Sequence, residues 1–375
     1  NLKNKSNLKI INLLQSQLMN QLLSPFNFSR GPSLKNRFML APLTNTQSYE
    51  DGKLSDEEFK WLTMRAQGGF ALTMTCASHV QAIGKGFPGQ LGVFSDDHLD
   101  GLKRLSSEIK ANGSVAICQL HHAGMRSPED LIGQRPVCPS DNEEFNARAL
   151  SISEVEKLRD DFIEAAIRSE KAGFDGVELH CAHGYILAQF LSPEINLRND
   201  QYGQSLSNRS RLLYEIIDGV REVCNNEFII GVRLSPERFG LKLEEIVSLA
   251  KELMISNKIE FLDMSLWDVY KEPEEEAFKG KKLIAYFTEL ERGDTKLGVA
   301  GAIKSALDAE KTMNEGVDWV MLGRAAILHH NFPKLYEADS RFSPAEVPVS
   351  EEYLRKQGLS DKFVQYVKKW GFVSN

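Results

Sequence analysis

The sequence contains little cysteine and no long apolar run, and both absences exclude classes of protein. The five cysteines, at positions 76, 118, 138, 181 and 224, are odd in number and form no C-x-x-C pair. A secreted disulfide framework is therefore excluded, and a reducing, cytoplasmic compartment is expected. No apolar run approaches the ~20 residues that a membrane-spanning helix needs, so no membrane partner is expected.

An excess of positive charge is absent as well. Lys and Arg number 45 whereas Asp and Glu number 52, which gives a net charge of −7. Since there is no basic stripe, nucleic acid is not an expected partner. The composition does provide an ordinary 42% of hydrophobic residues, which is typical of a globular protein with a large core.

Short apolar runs recur along most of the chain, with amphipathic segments between them. The runs are near-continuously apolar rather than alternating, which is typical of parallel strands that helices cover. Capping boxes indicate the starts of two helices, with Ser55 before Glu58 and Ser151 before Glu154. The predicted strands are residues 37–41, 70–75, 114–120, 176–180, 228–234, 261–265, 296–300 and 319–322. Further helices are predicted near 205–223, 243–255 and 303–314 and after residue 325.

Repeated strand-then-helix units favour an α/β fold of the single TIM-type (β/α)₈ barrel class over a doubly wound sheet, because no nucleotide-binding turn follows the first strand. The barrel is predicted over residues 25–340, after an N-terminal extension (1–24) that is predicted to be helical and before a C-terminal helical tail (341–375). Two loops are unusually long, at 121–150 after strand 3 and 267–282 after strand 6. Both are expected to stand over the active site.

Polar side chains stand at the carboxyl ends of several predicted strands, where barrels of this class carry their chemistry. Gln119 ends strand 3, His180 ends strand 4 and Arg233 lies near the end of strand 5. Strands 7 and 8 run into Gly301 and Gly323. Barrels often bind phosphate there, because glycines let backbone N–H groups approach an anion. The alternative is that these glycines only form tight turns.

The segment after strand 4 reads His180-Cys-Ala-His183-Gly-Tyr185. Two imidazoles three residues apart on a helical-type turn project to the same side, where they can donate hydrogen bonds to a carbonyl or nitro oxygen. Tyr185 can donate a proton at neutral pH. Two other interpretations stay open, namely a metal site that also uses His122 and two histidines with structural roles only. No Asp or Glu lies within this turn to complete a set of metal ligands.

Four blocks of the sequence resemble the old yellow enzyme family of FMN-dependent oxidoreductases, in its bacterial branch with a His-x-x-His pair. They read KNRFMLAPLT at 35–44, QLHHAG at 119–124, GFDGVELHCAHGY at 173–185 and LGR at 322–324. The similarity extends from about residue 25 to about residue 333. The chain departs from that branch at Thr44 and Thr46, where cysteine and tyrosine are frequent.

The resemblance implies FMN as cofactor, together with a set of site residues. Thr44 and Ala77 would lie along the flavin ring, and Arg233 would lie at the edge where negative charge collects on reduction. No metal is implied. The implied cofactor-binding residues are Ala41, Pro42, Leu43, Thr44, Ala77, Gln119, His180, Arg233, Gly301, Gly323 and Arg324, and the implied catalytic residues are His180, His183 and Tyr185.

The implied reaction has two halves. NADH or NADPH gives a hydride to flavin N5 and leaves. The hydride then passes to an alkene conjugated to a carbonyl or nitro group, whose oxygen His180 and His183 hold while Tyr185 or water donates a proton. The sequence distinguishes neither the nicotinamide donor nor the small-molecule acceptor, and it is compatible with a homodimer or homotetramer.

Two rival functions use the same residues. A metal-dependent barrel hydrolase or lyase would use His180 and His183 as ligands. A barrel that has lost catalysis would only bind a phosphorylated ligand, although such a binder needs no proton donor beside its histidines.

Overall fold

Eight parallel strands form a closed ring in the computed structural model, which describes residues 21–374. Each strand pairs with its neighbours along the chain, and the last strand pairs with the first. The predicted helix of the N-terminal extension lies almost entirely outside the described residues. We number the strands β1 (Phe38–Leu40), β2 (Leu72–Met74), β3 (Val115–His121), β4 (Gly176–Cys181), β5 (Ile229–Leu234), β6 (Phe261–Ser265), β7 (Lys296–Ala300) and β8 (Trp319–Leu322).

This ring confirms the predicted (β/α)₈ barrel. The bounds of β6, β7 and β8 agree with the prediction residue for residue, and those of the other strands differ by no more than two residues. Three short strands were not predicted. Ser78–His79 pairs with the end of β3, and Val137–Cys138 pairs with Arg148–Ala149 inside the long loop after β3.

Helices cover the outside of the ring, and serine caps begin several of them. The predicted capping box at Ser151 is formed completely. The one at Ser55 forms only in half, because the carboxylate of Glu58 accepts hydrogen bonds from Asn45 and Ser48 instead. The α-helices are Asp56–Gln67, Leu99–Ala111, Glu129–Ile132, Ile152–Lys171, Ile186–Leu191, Leu206–Arg209, Arg211–Val223, Leu243–Ile255, Ala285–Thr288, Ala306–Asn314, Arg324–Leu328, Phe332–Ala338, Glu351–Lys356 and Asp361–Lys368.

Two predicted helices differ from the observed ones for local reasons. The helix predicted over 205–223 is interrupted at Ser210, between Leu206–Arg209 and Arg211–Val223. The helix predicted from residue 303 begins at Ala306, because Ser305 caps it in a capping box with Asp308.

Side chains alternate between the inside of the ring and the helices, as the period of a strand requires. In β4, Val177 and Leu179 belong to the outer core under the helices, so Glu178 and His180 point into the barrel. Strand pairing then fixes their neighbours, since Gln119 is opposite Glu178 and Arg233 is opposite His180. Continuously apolar strands in the sequence therefore still build a polar layer inside the barrel.

Aromatic side chains close the amino-terminal end of the barrel. The segment before β1 places Phe28 against Phe261, with ring centroids 5.3 Å apart, and Phe26 against Trp319 at 5.9 Å. Because this end is filled, a ligand can approach the inward-facing polar layer only from the carboxyl ends of the strands.

The segment after the barrel returns to that open end. Phe363, in the helix Asp361–Lys368, packs edge to face on Trp61 with ring centroids 4.8 Å apart. Tyr353 donates a hydrogen bond of 2.9 Å to the carbonyl of Leu328. Among residues 21–374, no helix combines the length and apolar character needed to cross a bilayer.

Candidate active site

One cavity of about 670 Å³ opens at the carboxyl ends of the strands. The structure brings together at this cavity all the residues that the sequence predicts for cofactor binding or catalysis. They are Ala41, Pro42, Leu43, Thr44, Ala77, Gln119, His180, His183, Tyr185, Arg233, Gly301, Gly323 and Arg324. Thr46 is not among the lining residues.

His180 and His183 lie edge to face at the end of β4, with ring centroids 5.0 Å apart. The backbone of His183 is left-handed (φ +59°), and its N–H donates to the hydroxyl of Ser235 at 2.9 Å. Its ring Nε2 lies 2.7 Å from the hydroxyl of Ser265. By contrast, Nδ1 of His180 is buried with no hydrogen-bond partner in the described chain. A buried polar atom without a partner is a group that a ligand can satisfy.

Both imidazoles are neutral at physiological pH. Burial, helped by the positive charges of Arg233 and Arg126, lowers the pKa of His183 to about 3. Burial, followed by the neighbouring imidazoles, also lowers the pKa of His180 well below its usual value. Each neutral ring carries one N–H donor, so the pair can hold a ligand oxygen without adding a full charge.

The phenol of Tyr185 lies beside this pair. Its ring centroid is 5.1 Å from that of His180 and 4.3 Å from that of His121. The guanidinium of Arg126 lies over the phenol, with Cζ 5.0 Å from the ring centroid. A proton donor, two imidazoles and a cation therefore share one side of the cavity.

A buried polar network lies beneath the cavity. The amide Nε2 of Gln119 donates to Oε1 of Glu178 at 2.7 Å, and Nε of Arg233 lies 3.0 Å from Oδ2 of Asp263. The second contact is an ion pair without hydrogen-bond geometry, since neither carboxylate oxygen of Asp263 has a hydrogen-bond partner in the described residues. Burial and the charge of Asp263 raise the pKa of the Glu178 carboxyl.

The two glycines after β7 and β8 differ in how much space the protein leaves around them. Gly301 has φ +153°, and a Cβ there would meet the backbone of Trp267 at 2.9 Å, so packing alone demands glycine. At Gly323 a Cβ would meet, among residues 21–374, only Leu43, at 3.4 Å, and Ala41, at 3.9 Å. The protein itself therefore leaves room at Gly323, as a bound phosphate would need.

Several lining residues were not predicted from the sequence. Arg126 comes from the long loop after β3 and Trp267 from the long loop after β6, which agrees with the predicted position of both loops. Ser265 ends β6 and contacts His183. The C-terminal segment also lines the cavity, with Phe363, Tyr366, Val367, Trp370 and Phe372.

The described residues do not provide a set of ligands for the alternative metal site. Within residues 21–374, no three His, Cys, Asp or Glu side chains are grouped as metal ligands. His122, the proposed third ligand, uses both ring nitrogens in the protein, since Nδ1 accepts from the N–H of Gly124 at 2.9 Å and Nε2 lies 3.1 Å from Oε1 of Gln81. The histidine pair, the phenol beside it and the open space at Gly323 together give this cavity the features of a barrel-enzyme active site.

Comparisons with known proteins identify the family. The sequence profile of the NADH:flavin oxidoreductase / NADH oxidase family matches residues 21–339. The chain is 35% identical over 322 residues to the probable NADH-dependent flavin oxidoreductase YqiG of Bacillus subtilis, covering 83% of this chain and 86% of that one. It is 32% identical over 328 residues to an NADPH dehydrogenase of Bacillus pumilus, covering 86% and 96%.

A solved structure supports the fold. The old yellow enzyme homologue from Zymomonas mobilis superposes with a TM-score of 0.77 at 24% identity, covering 92% of this chain and 99% of that one. The chain belongs to the NADH:flavin oxidoreductase / NADH oxidase family, the old yellow enzymes. It is an NAD(P)H-dependent flavin oxidoreductase, and its cofactor is FMN.

The cavity suits this cofactor. Apolar groups at Ala41, Pro42 and Ala77 line it beside the polar side chains of Gln119 and Arg233. That combination matches a flat ring system with a polar, electron-accepting edge. The open space at the glycine after β8, next to a cation at the following residue, matches the phosphate.

Proposed function

We propose that this enzyme reduces alkenes conjugated to a carbonyl or nitro group. When bound, FMN supplies hydride transfer, taking two electrons from NADH or NADPH and passing them to the alkene. The observation that carries the proposal is the convergence of three side chains at the open end of the barrel. The ring centroids of His183 and Tyr185 lie 5.0 Å and 5.1 Å from the ring centroid of His180. Hydrogen-bond donors and a proton donor are what the polarisation and protonation of such an alkene require.

The histidine pair binds the activating oxygen. His180 has a buried ring nitrogen without a partner in the described residues, and the hydroxyl of Ser265 orients the ring of His183. Two hydrogen bonds to the oxygen stabilise the negative charge that develops there, because the donors are fixed in place before the substrate binds. Since both rings are neutral, their effect requires no titration near neutral pH.

Tyr185 then donates a proton from its phenol oxygen to the α-carbon. Its ring packs against His121 and His180, which restricts the direction of the hydroxyl. Gln119, Arg233, Gly301, Gly323 and Arg324 would hold the cofactor, the first two at its ring and the last three at its phosphate. Arg233 supplies a fixed positive charge inside the barrel.

The test separates the two halves of the reaction. Holoenzyme is reduced chemically without oxygen and is then mixed with 2-cyclohexenone, while flavin absorbance and cyclohexanone are measured. In the His180→Ala/His183→Ala double variant, loaded with FMN to the flavin content of wild type, we expect reoxidation by the enone to slow by about 10²-fold or more. Reoxidation by ferricyanide, which needs no hydrogen bond to a carbonyl, is the control and keeps its rate.

Two results would contradict the proposal. One is a protein that stays colourless after incubation with FMN. The other is a reduced holoenzyme that ferricyanide reoxidises but that no conjugated enone or nitroalkene does.

A further inference from the structure

The charges that line the cavity are all of one sign. Of the residues in the described range 21–374, five cationic side chains line it and no Asp or Glu does so, although the chain as a whole carries a net charge of −7. Such a concentration of one sign in a cleft attracts ligands of the opposite charge. The five are Arg126, Arg233, Arg238, Lys304 and Arg324.

Four of these cations already have a partner or an assigned place. Arg233 is paired with Asp263 at 3.0 Å, and Nε of Arg238 donates to Glu274 at 2.6 Å. Lys304 and Arg324 follow β7 and β8, at the phosphate end of the cavity. Arg126 follows β3, on the opposite side of the ring, and its polar partner among the described residues is the carbonyl of His183.

Arg126 is held in place beside the histidine pair. It ends a short 3₁₀ turn whose Met125 N–H donates to Oε1 of Gln189 at 3.2 Å. The fully buried Gln189 also donates through Nε2 to the carbonyl of Gly184 at 2.8 Å. One amide therefore ties the Arg126 turn to the loop between His183 and Tyr185, so the guanidinium of Arg126 is exposed yet fixed relative to the substrate side of the cavity.

We propose that Arg126 binds a carboxylate of the acceptor, so that the preferred acceptors are activated alkenes carrying a carboxylate close to the double bond. This inference rests on the proposed function. A guanidinium forms charge-assisted hydrogen bonds with a carboxylate, often two in parallel. Its position over the Tyr185 ring places the bound anion next to the proton donor.

The reaction balances with reagents already named. The acceptor gains a hydride at one alkene carbon and a proton at the other, so the C=C bond becomes a CH–CH single bond. The hydride comes ultimately from NADH or NADPH, which leaves as NAD⁺ or NADP⁺. The carboxylate is unchanged and serves only for binding, so Arg126 is a residue that determines specificity.

The test compares 4-oxopent-2-enoate with its methyl ester, a pair that differs in charge beside the same enone. In Arg126→Gln we expect kcat/KM for the acid to fall by about 10- to 100-fold, as for the loss of a charge-assisted contact. For the ester we expect a change of no more than about twofold. The two acceptors differ in intrinsic reactivity, but this cancels because each variant is compared with wild type on the same compound.

Two further variants control for charge and for shape. Arg126→Lys keeps the charge and is expected to recover part of the preference for the acid. Arg238→Gln makes the same charge change at the same cavity mouth, but its guanidinium is already paired with Glu274. It is expected to lower turnover of the acid much less than Arg126→Gln does.

A binding measurement gives a readout apart from turnover. Calorimetric titration of oxidised holoenzyme with 4-oxopentanoate, the saturated product, is expected to give a Kd about tenfold weaker in Arg126→Gln. The contact is charged and open to solvent, so the wild-type Kd is also expected to weaken as salt is added.

The outcomes show whether the bound anion belongs to the acceptor or to the nicotinamide donor. They also separate failure of this inference from failure of the proposed function. Equal losses for acid and ester would mean that Arg126 only positions His183, and would overturn the inference. Slower flavin reduction by NADH or NADPH in Arg126→Gln, with acceptor kinetics unchanged, would assign the anion to the nicotinamide donor and would also overturn it. If wild type and Arg126→Gln both reduce the ester and show the same preference between acid and ester, the proposed function stands and the inference about Arg126 is overturned. If the wild-type enzyme reduces no enone at all, the proposed function and the inference are both overturned.

Discussion

The side-chain amide of Gln119 donates a hydrogen bond of 2.7 Å to Oε1 of Glu178, and both residues are buried inside the barrel. The two lie on adjacent strands and are paired directly in register. Gln119 lines the cavity whereas Glu178 is not among its lining residues. Glu178 therefore fixes the direction of a side chain that lines the cavity.

The raised pKa of Glu178 makes the stability of the fold depend on pH. Burial and the charge of Asp263 disfavour the carboxylate in the folded protein, so the folded chain holds a proton that the unfolded chain releases above the ordinary glutamate pKa of 4.5. The free energy of unfolding therefore falls as pH rises from about 4.5 through the raised pKa. In Glu178→Gln this loss is absent.

Between about pH 5 and pH 8, we expect the free energy of unfolding of Glu178→Gln to rise relative to that of wild type by on the order of 1–3 kcal/mol, since one pKa unit corresponds to ~1.4 kcal/mol. Urea unfolding of the apoprotein across this range measures it. Glu154→Gln is the control, because its pKa is lowered by Arg148 to about 2 and its titration is complete below the range. A constant difference between Glu178→Gln and wild type at every pH would contradict the prediction.

Tyr185→Phe removes the phenol hydroxyl and keeps the ring that packs on His121 and His180. We expect flavin binding to be retained and alkene reduction to slow by on the order of 10²-fold, the usual contribution of a positioned acid. Stopped-flow mixing of reduced enzyme with 2-cyclohexenone measures the rate. The matched variant Tyr366→Phe changes a second tyrosine of the same cavity and should slow the step far less. Equal effects would argue against Tyr185 as proton donor.

Ser265→Ala frees the ring of His183 from its contact of 2.7 Å. Losing one hydrogen bond of this kind corresponds to about 1 kcal/mol, so we expect KM for an enone to rise about fivefold with little change in flavin content. Steady-state kinetics with saturating donor measures it. Ser235→Ala, which removes the acceptor of the His183 backbone N–H, separates the ring orientation from the loop conformation. An unchanged KM in Ser265→Ala would mean that His183 needs no support.

The two glycines of the phosphate end should respond differently to alanine. Gly323→Ala fills space that the protein leaves open, so FMN affinity should fall at least about tenfold while the apoprotein melts as wild type does. Gly301→Ala forces a Cβ onto the backbone of Trp267 at 2.9 Å, so the apoprotein itself should be destabilised, by about 1–3 kcal/mol. Fluorescence titration with FMN and apoprotein melting separate the two effects. The same response in both variants would contradict the distinction.

Most of the barrel could be predicted from the sequence because each strand is a short apolar run between a helix and a rim residue. The bounds of β6, β7 and β8 are those predicted. The motif residues reach one cavity because carboxyl ends of parallel strands all lie at the same end of the ring. The position of these residues depends only on the order and direction of the strands, and repeated strand-helix units in the sequence indicate both.

The contributions of single loops could not be predicted. Phe363, Val367 and Trp370 stand at the spacing of an ordinary amphipathic helix face, and nothing local distinguishes a face that packs on the barrel from one that lines its cavity. Arg126 lies within a loop whose path depends on Gln189, which is distant in sequence. Trp267 has a left-handed backbone, and this likewise could not be predicted, because a tryptophan in a sequence does not indicate that conformation.

The lining contributed by Phe363 to Phe372 bears on the order of assembly. During synthesis, β8 ends at Leu322, well before the eight-residue helix Asp361–Lys368 in the chain, so the ring can close while that helix is still inside the ribosome. The cofactor can thus enter a barrel that still lacks one wall. Once that helix has packed on Trp61, we expect it to slow release of the cofactor, because an opening at this wall then requires the helix to detach.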